Sequence, residues 1–101
     1  MNDIINTFPE KFREDIKKAT IILKNNGCTE IYIFGSIANG KFNENSDIDI
    51  AVKGLDDDKF FRVLGELNKE LANNIDLIDL NDENNRFAQF ILKQGELIKT
   101  T

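Results

Sequence analysis

The chain has 101 residues, 41% hydrophobic and 31% charged, enough for one small folded domain, expected to span 1–101. Its net charge of −5 argues against a surface that grips nucleic acid or anionic membrane, because that affinity comes from Lys and Arg neutralising phosphate. Histidine is absent and Cys28 is the single cysteine, which removes His-based acid–base catalysis, His-ligated zinc and any intrachain disulfide. With no long apolar run and no signal-peptide pattern, the expected location is cytoplasmic.

Thr7-Phe8-Pro9-Glu10 has the Thr-x-x-Glu spacing of a capping box, with Pro9 in the first turn, where its missing N–H is harmless. Phe12, Ile16, Ala19 and Leu23 then recur at helical spacing, and Asn25-Asn26-Gly27 ends that helix. Glu30 to Phe34 is β-branched and aromatic and predicts a strand. Gly35 breaks it, and Ser36-Ile37-Ala38-Asn39 begins a short helix. Asp47 to Val52 alternates, with Asp47, Asp49 and Ala51 on one face and Ile48, Ile50 and Val52 on the other, as in a half-buried strand.

Asp56-Asp57-Asp58 reads as negative charge at the positive end of a helix dipole rather than as a metal site. Phe60, Val63, Leu64, Leu67 and Leu71 supply the apolar stripe of the helix that follows. Ile75 to Leu80 is a further strand. Asn84 to Gln94 predicts a helix with Phe87, Phe90 and Ile91 on its apolar side and Gly95 closing it, and Glu96 to Lys99 a short last strand. The alternation favours an α/β or α+β sandwich, a small sheet with helices packed on one face.

The chemistry concentrates between Gly35 and Asp76. A strand, a Gly35-Ser36 turn and a helix start present backbone N–H groups to an anion, and the Ser36 hydroxyl can donate to a phosphate oxygen. Ten residues after Ser36, Asp47-Ile48-Asp49 sets two carboxylates on one face of a strand. Such acids repel unless a cation joins them, and two Mg²⁺ ions are the usual way to run an in-line nucleotidyl displacement without histidine. Asp76 is the best third carboxylate; Asp79 would point to the other face.

Gly35-Ser36, the ten-residue gap, Asp47-x-Asp49 and the later Ile75-Asp76-Leu77-Ile78 resemble the signature of the DNA polymerase β-type nucleotidyltransferase superfamily, in particular its minimal nucleotidyltransferases. The resemblance runs from about Ile31 to Leu80 and implies a palm-like fold with a small mixed sheet. It also implies AMP transfer from ATP to an acceptor hydroxyl, with release of pyrophosphate. By this resemblance Asp47, Asp49 and Asp76 are the catalytic and metal-binding residues, and Gly35 and Ser36 position the leaving phosphates. Many members carry Arg where this chain has Ile37 and Asn39; Lys41 is the nearest replacement cation and Lys53 a second.

The chain leaves no residues for a primer-binding or antibiotic-binding domain, so another molecule is expected to present the acceptor. Minimal nucleotidyltransferases are commonly paired with HEPN-domain toxins, to whose tyrosine the antitoxin adds AMP. The resemblance therefore implies a protein adenylyltransferase antitoxin. Two alternatives stay open: a non-catalytic antitoxin that masks its partner, and a small-molecule nucleotidyltransferase with its acceptor domain on a second chain.

Overall fold

The computed structural model describes residues 3–94 and 96–100. Helix α1 (Glu10–Asn25) is followed by β1 (Glu30–Phe34), α2 (Gly35–Asn39), β2 (Ile48–Lys53), α3 (Phe60–Glu70), β3 (Ile75–Asp79), α4 (Arg86–Gln94) and β4 (Ile98–Lys99). The four strands form one mixed sheet in the order β3-β2-β1-β4. β1 pairs antiparallel with β2 and β4, while β2 pairs parallel with β3. Among the described residues no helix is long and apolar enough to cross a membrane.

Strand alternation divides the side chains between two layers. Ile31, Ile33, Ile48, Ile50, Val52, Ile75 and Leu77 join Phe12, Ile16, Ala19 and Leu23 of α1 and Val63 and Leu67 of α3 in the main core. On the opposite face Phe34, Ala51 and Leu80 pack with Ala88 and Ile91 of α4. The expected arrangement of helices on one face thus holds for α1 and α3, and α4 covers part of the other. The reason is that Phe34 and Ala51 are buried on the Asp49 side and need an apolar lid.

Several local expectations change. Thr7 does not cap α1: it ends a 3-10 turn, Asp3–Thr7, and its hydroxyl donates to the Ile4 carbonyl at 2.6 Å. Pro9 itself occupies the N-cap position, without a side-chain cap, because Phe8 is buried and fixes the approach to the helix. The acidic run does lead into a helix, through a 3-10 turn at Asp57–Lys59 and with no side-chain cap. α4 starts at Arg86, where the Phe87 and Ala88 amides donate to Asn85 Oδ1 at 3.0 and 3.1 Å. Its buried positions are Ala88 and Ile91, whereas Phe87 and Phe90 are 53% and 55% exposed. Gly95, expected to close this helix, lies outside the described residues.

Asp15 ties α1 to the turn between α3 and β3. It is buried in α1, and the Ala72 and Asn73 amides and Asn73 Nδ2 donate to its carboxylate at 3.1, 2.8 and 2.9 Å. The neighbouring Asn74 carbonyl accepts the Ile48 amide at 2.9 Å. One buried acid therefore fixes the turn that delivers β3 beside β2.

Candidate functional site

β2 and β3 are in parallel register with Asp49 opposite Asp76, and β1 places Phe34 opposite Asp49 on the other side. Residues in register share a face, so Phe34, Asp49 and Asp76 form a row across the sheet with strand spacing of about 4.8 Å. Parity put Asp49 and Asp76 on one face from the sequence, and hydrogen bonding between the strands sets the register that pairs them.

Gly35 follows Phe34 directly. Its φ is +73°, and a Cβ built there would lie 2.1 Å from Asp49 Oδ2. Only glycine accepts both constraints: the left-handed backbone and a carboxylate where a side chain would begin. The sequence marks Gly35 as a turn that lets a phosphate come close. The structure adds that Gly35 makes room for Asp49.

Asp49 is half-buried. Burial, the adjoining Asp76 carboxylate and, to a lesser degree, Asp47 push its pKa up from 3.8 to about 6. Two carboxylates in contact without a cation behave in this way. Asp47 stands one residue before β2 and is exposed. Its loop is held to α1 by the edge-on contact of Phe42 with Phe12, centroids 6.0 Å apart, and by Lys11 Nζ donating to the Glu44 carbonyl. Among the described residues no three acidic or thiolate side chains converge as a ready metal cage. Asp49 and Asp76 are the pair the strands bring together, with Asp47 beside them.

The remaining sequence candidates divide. Ser36 is the second residue of α2, next to Gly35. Ile37 is 4% exposed and belongs to the core, so that position is committed to packing. Asn39 folds back to accept the Lys41 amide at 2.9 Å. Lys41 is exposed, just past the left-handed C-cap Gly40 of α2. Lys53 lies four residues along β2 from Asp49, roughly 13 Å away at strand rise, and pairs with Glu30 at 3.9 Å.

A cavity of about 570 Å³ opens over the row. It starts at Phe34, Gly35, Asp49 and Asp76 and continues past edge strand β3 to Leu64 and Asn68 of α3, with Phe87, Phe90 and Ile91 of α4 as its apolar wall. The aromatic wall was missed in the sequence. The available signal was the single polar-to-small position Ala88, which turns the buried stripe of α4 away from the two rings.

The family described as polymerase beta, nucleotidyltransferase, matches residues 4–101. The protein adenylyltransferase MntA of Shewanella oneidensis is 36% identical over 69 residues, covering 65% of this chain and half of the relative's length. Among solved structures, a toxin–antitoxin with AMP-PNP superposes with a TM-score of 0.66 at 29% identity, covering 87% of this chain and 71% of the other. A complex of a tri-AMPylated Shewanella oneidensis HEPN toxin with its MNT antitoxin gives a TM-score of 0.54 at 28% identity, over 71% of this chain and 58% of the other.

Proposed function

The chain belongs to the polymerase β nucleotidyltransferase family, and from that membership we propose that it transfers AMP from ATP to a hydroxyl of a HEPN-domain partner, as a protein adenylyltransferase antitoxin. The observation that carries this reading is the Asp49–Asp76 pair in register across two parallel strands, pressed against Gly35 at the mouth of a cavity. The relatives support the substrates: one is a protein adenylyltransferase, one is solved with AMP-PNP, and one is in complex with a HEPN toxin carrying AMP.

The donor set fits a hard divalent cation, since all its donors are carboxylate oxygens, and the Asp49 carboxylate, disfavoured first by burial and then by the adjoining Asp76, gains a counter-charge when a cation binds. Asp49 and Asp76, with Asp47, would hold Mg²⁺, two ions in the full site. When bound, Mg²⁺ neutralises triphosphate charge and lowers the pKa of the acceptor hydroxyl. Gly35 lets the backbone approach the leaving phosphates, and the Ser36 hydroxyl donates to one of their oxygens. Lys41 adds a cation near the same turn, in place of arginines at Ile37 and Asn39. The acceptor oxygen forms a bond to the α-phosphorus, and the bond from that phosphorus to the bridging oxygen of pyrophosphate breaks. Asp76 takes the hydroxyl proton.

The test is turnover. A HEPN-domain toxin in excess, incubated with a small fraction of this protein plus ATP and Mg²⁺, gains AMP-sized increments in intact-mass spectra. Asp47→Asn and Asp49→Asn abolish them. Neutralisation that needs one copy per toxin, proceeds without ATP and survives Asp47→Asn would establish a masking subunit instead.

A further inference from the structure

Two carboxylates that share a cation must stand at a fixed separation, and strand parity alone does not fix it for Asp49 and Asp76. Burial of Ile75 and Leu77 forbids β3 a one-residue slip, which would turn both away from the main core. A slip of two residues keeps the same faces and carries Asp76 about 6.6 Å along β2. The observed register is set where β3 begins. There the Ala72 and Asn73 amides and Asn73 Nδ2 donate to the Asp15 carboxylate, and the carbonyl of the next residue, Asn74, accepts the Ile48 amide at 2.9 Å. Ile48 separates Asp47 from Asp49, and Asp76 stands two residues beyond Asn74.

The same stretch of α1 holds the loop that leads to Asp47. Lys11 Nζ donates to the Glu44 carbonyl and Phe12 meets Phe42 edge-on; Asp15 lies one helical turn beyond Lys11. Residues 44–47 and 72–74 are side by side, walls of one shallow cleft. Asp15 is only 4% exposed and does not line the cavity over Asp49 and Asp76, so it reaches the site through the backbone alone. A carboxylate suits the task because its two oxygens accept all three donors of the turn; an amide has one oxygen and would set an NH₂ group against one of them. Resting on the nucleotidyltransferase reading above, we propose that Asp15 is a positioning residue for the cation site: by gripping residues 72 and 73 it fixes Asp76 relative to Asp49 and so sets the affinity of the pair for a divalent cation.

The experiment titrates Mn²⁺, without nucleotide, into the whole isotope-labelled chain and reads paramagnetic broadening and amide hydrogen exchange by NMR. In the parent, Mn²⁺ broadens the Asp49 and Asp76 amides, and Asp49→Asn removes the effect. Asp15→Asn is expected to weaken Mn²⁺ binding roughly tenfold, the lower end of the range for residues that orient metal ligands. Its Ile48 amide, bonded to Asn74, exchanges faster, while the Leu80 amide, bonded to Val52 at the far end of the β2–β3 pair, keeps its rate. Leu23→Ala, a core deletion at the other end of α1, lowers stability but leaves Mn²⁺ affinity and the ratio of the two exchange rates as in the parent. Should Asp15→Asn not fold, Asn73→Ala, which removes only the side-chain donor, is read in its place with changes of the same sign. The proposal is overturned by parent-like Mn²⁺ affinity in the Asp15 or Asn73 variant, by an equal loss in Leu23→Ala, or by exchange that quickens at Ile48 and Leu80 alike. If the parent itself shows no broadening at Asp49 and Asp76, the cation reading falls and the proposal with it; parent binding that the variant leaves unchanged sinks the proposal alone.

Discussion

Two glycines with nearly the same backbone allow the Gly35–Asp49 approach to be weighed by itself. Gly35 has φ +73° and Gly40 φ +81°, but an added Cβ meets Asp49 Oδ2 at 2.1 Å in the first and nothing within 4 Å in the second. Gly40→Ala therefore reports the backbone cost alone. Left-handed φ costs Ala about 1–2 kcal/mol, and the stiffer unfolded chain returns about 0.4–1 kcal/mol. The net loss is about 1 kcal/mol, or about 4–8 °C in Tm for a domain of this size. Gly35→Ala adds the displacement of a half-buried carboxylate by more than an ångström, toward Asp76. Overpacking of that kind costs a further 1–3 kcal/mol or so, bringing the loss to roughly 2–4 kcal/mol. Because Asp49 is what moves, transfer should fall by about a hundredfold, while Gly40→Ala keeps it. Urea denaturation and AMP transfer by the two variants are the assays. Equal stability losses, or full transfer by Gly35→Ala, would refute the idea that this glycine exists to seat Asp49.

In metal-free protein Asp49→Asn should be stabilising. The pKa of about 6 against 3.8 corresponds to about 3 kcal/mol at 1.36 kcal/mol per unit, and solvent screening at this half-open position reduces it to about 1 kcal/mol. The sign follows from proton uptake: between the two values the folded state holds the proton more tightly, so wild-type stability falls as pH rises from about 4 to about 6 and then levels. Melting curves in EDTA should show the variant's advantage above pH 6 and its disappearance near pH 4. Asp15→Ala strands two backbone amides and an Asn73 amide group, and should cost about 2–4 kcal/mol in urea denaturation; Asp15→Asn should recover part of it. Lys41→Ala should raise the ATP concentration needed for half-maximal transfer and reduce the salt dependence of that requirement; an unchanged ATP titration would leave Lys41 as ordinary surface. Cys28 is buried and its thiol is pushed up to about 11, chiefly by burial and then by Asp79, so iodoacetamide at pH 8 should label it only after unfolding.

The strand-borne part of the site was legible in the sequence because strand periodicity is short and strict. Once Ile48, Ile50 and Val52 are assigned to the core, Asp49 must face the other way. The same parity applied to Ile75 and Leu77 puts Asp76 on that face and excludes Asp79. The register that sets Asp49 opposite Asp76 was not legible. It depends on the turn at Ala72–Asn74, which is held by Asp15, 57 residues earlier than Ala72. A long-range hydrogen bond of this kind leaves no periodic trace.

The helix-borne part was legible as one apolar side of α4 and no further. Phe87, Phe90 and Ile91 lie three and four residues apart, and hydrophobicity alone makes them one buried stripe. The sheet beneath α4 limits what can be buried: Ala51, Ile78 and Leu80 give it an apolar stretch, while two residues back along β2 and β3 it presents the Asp49 and Asp76 carboxylates. Phenyl rings laid on Asp49 and Asp76 would strip water from acids that need it or a cation. The helix therefore seats its narrower Ala88–Ile91 edge on the apolar end and leaves the two rings at the border of the acidic end. Apolar side chains kept half exposed beside a carboxylate pair contribute little to the fold.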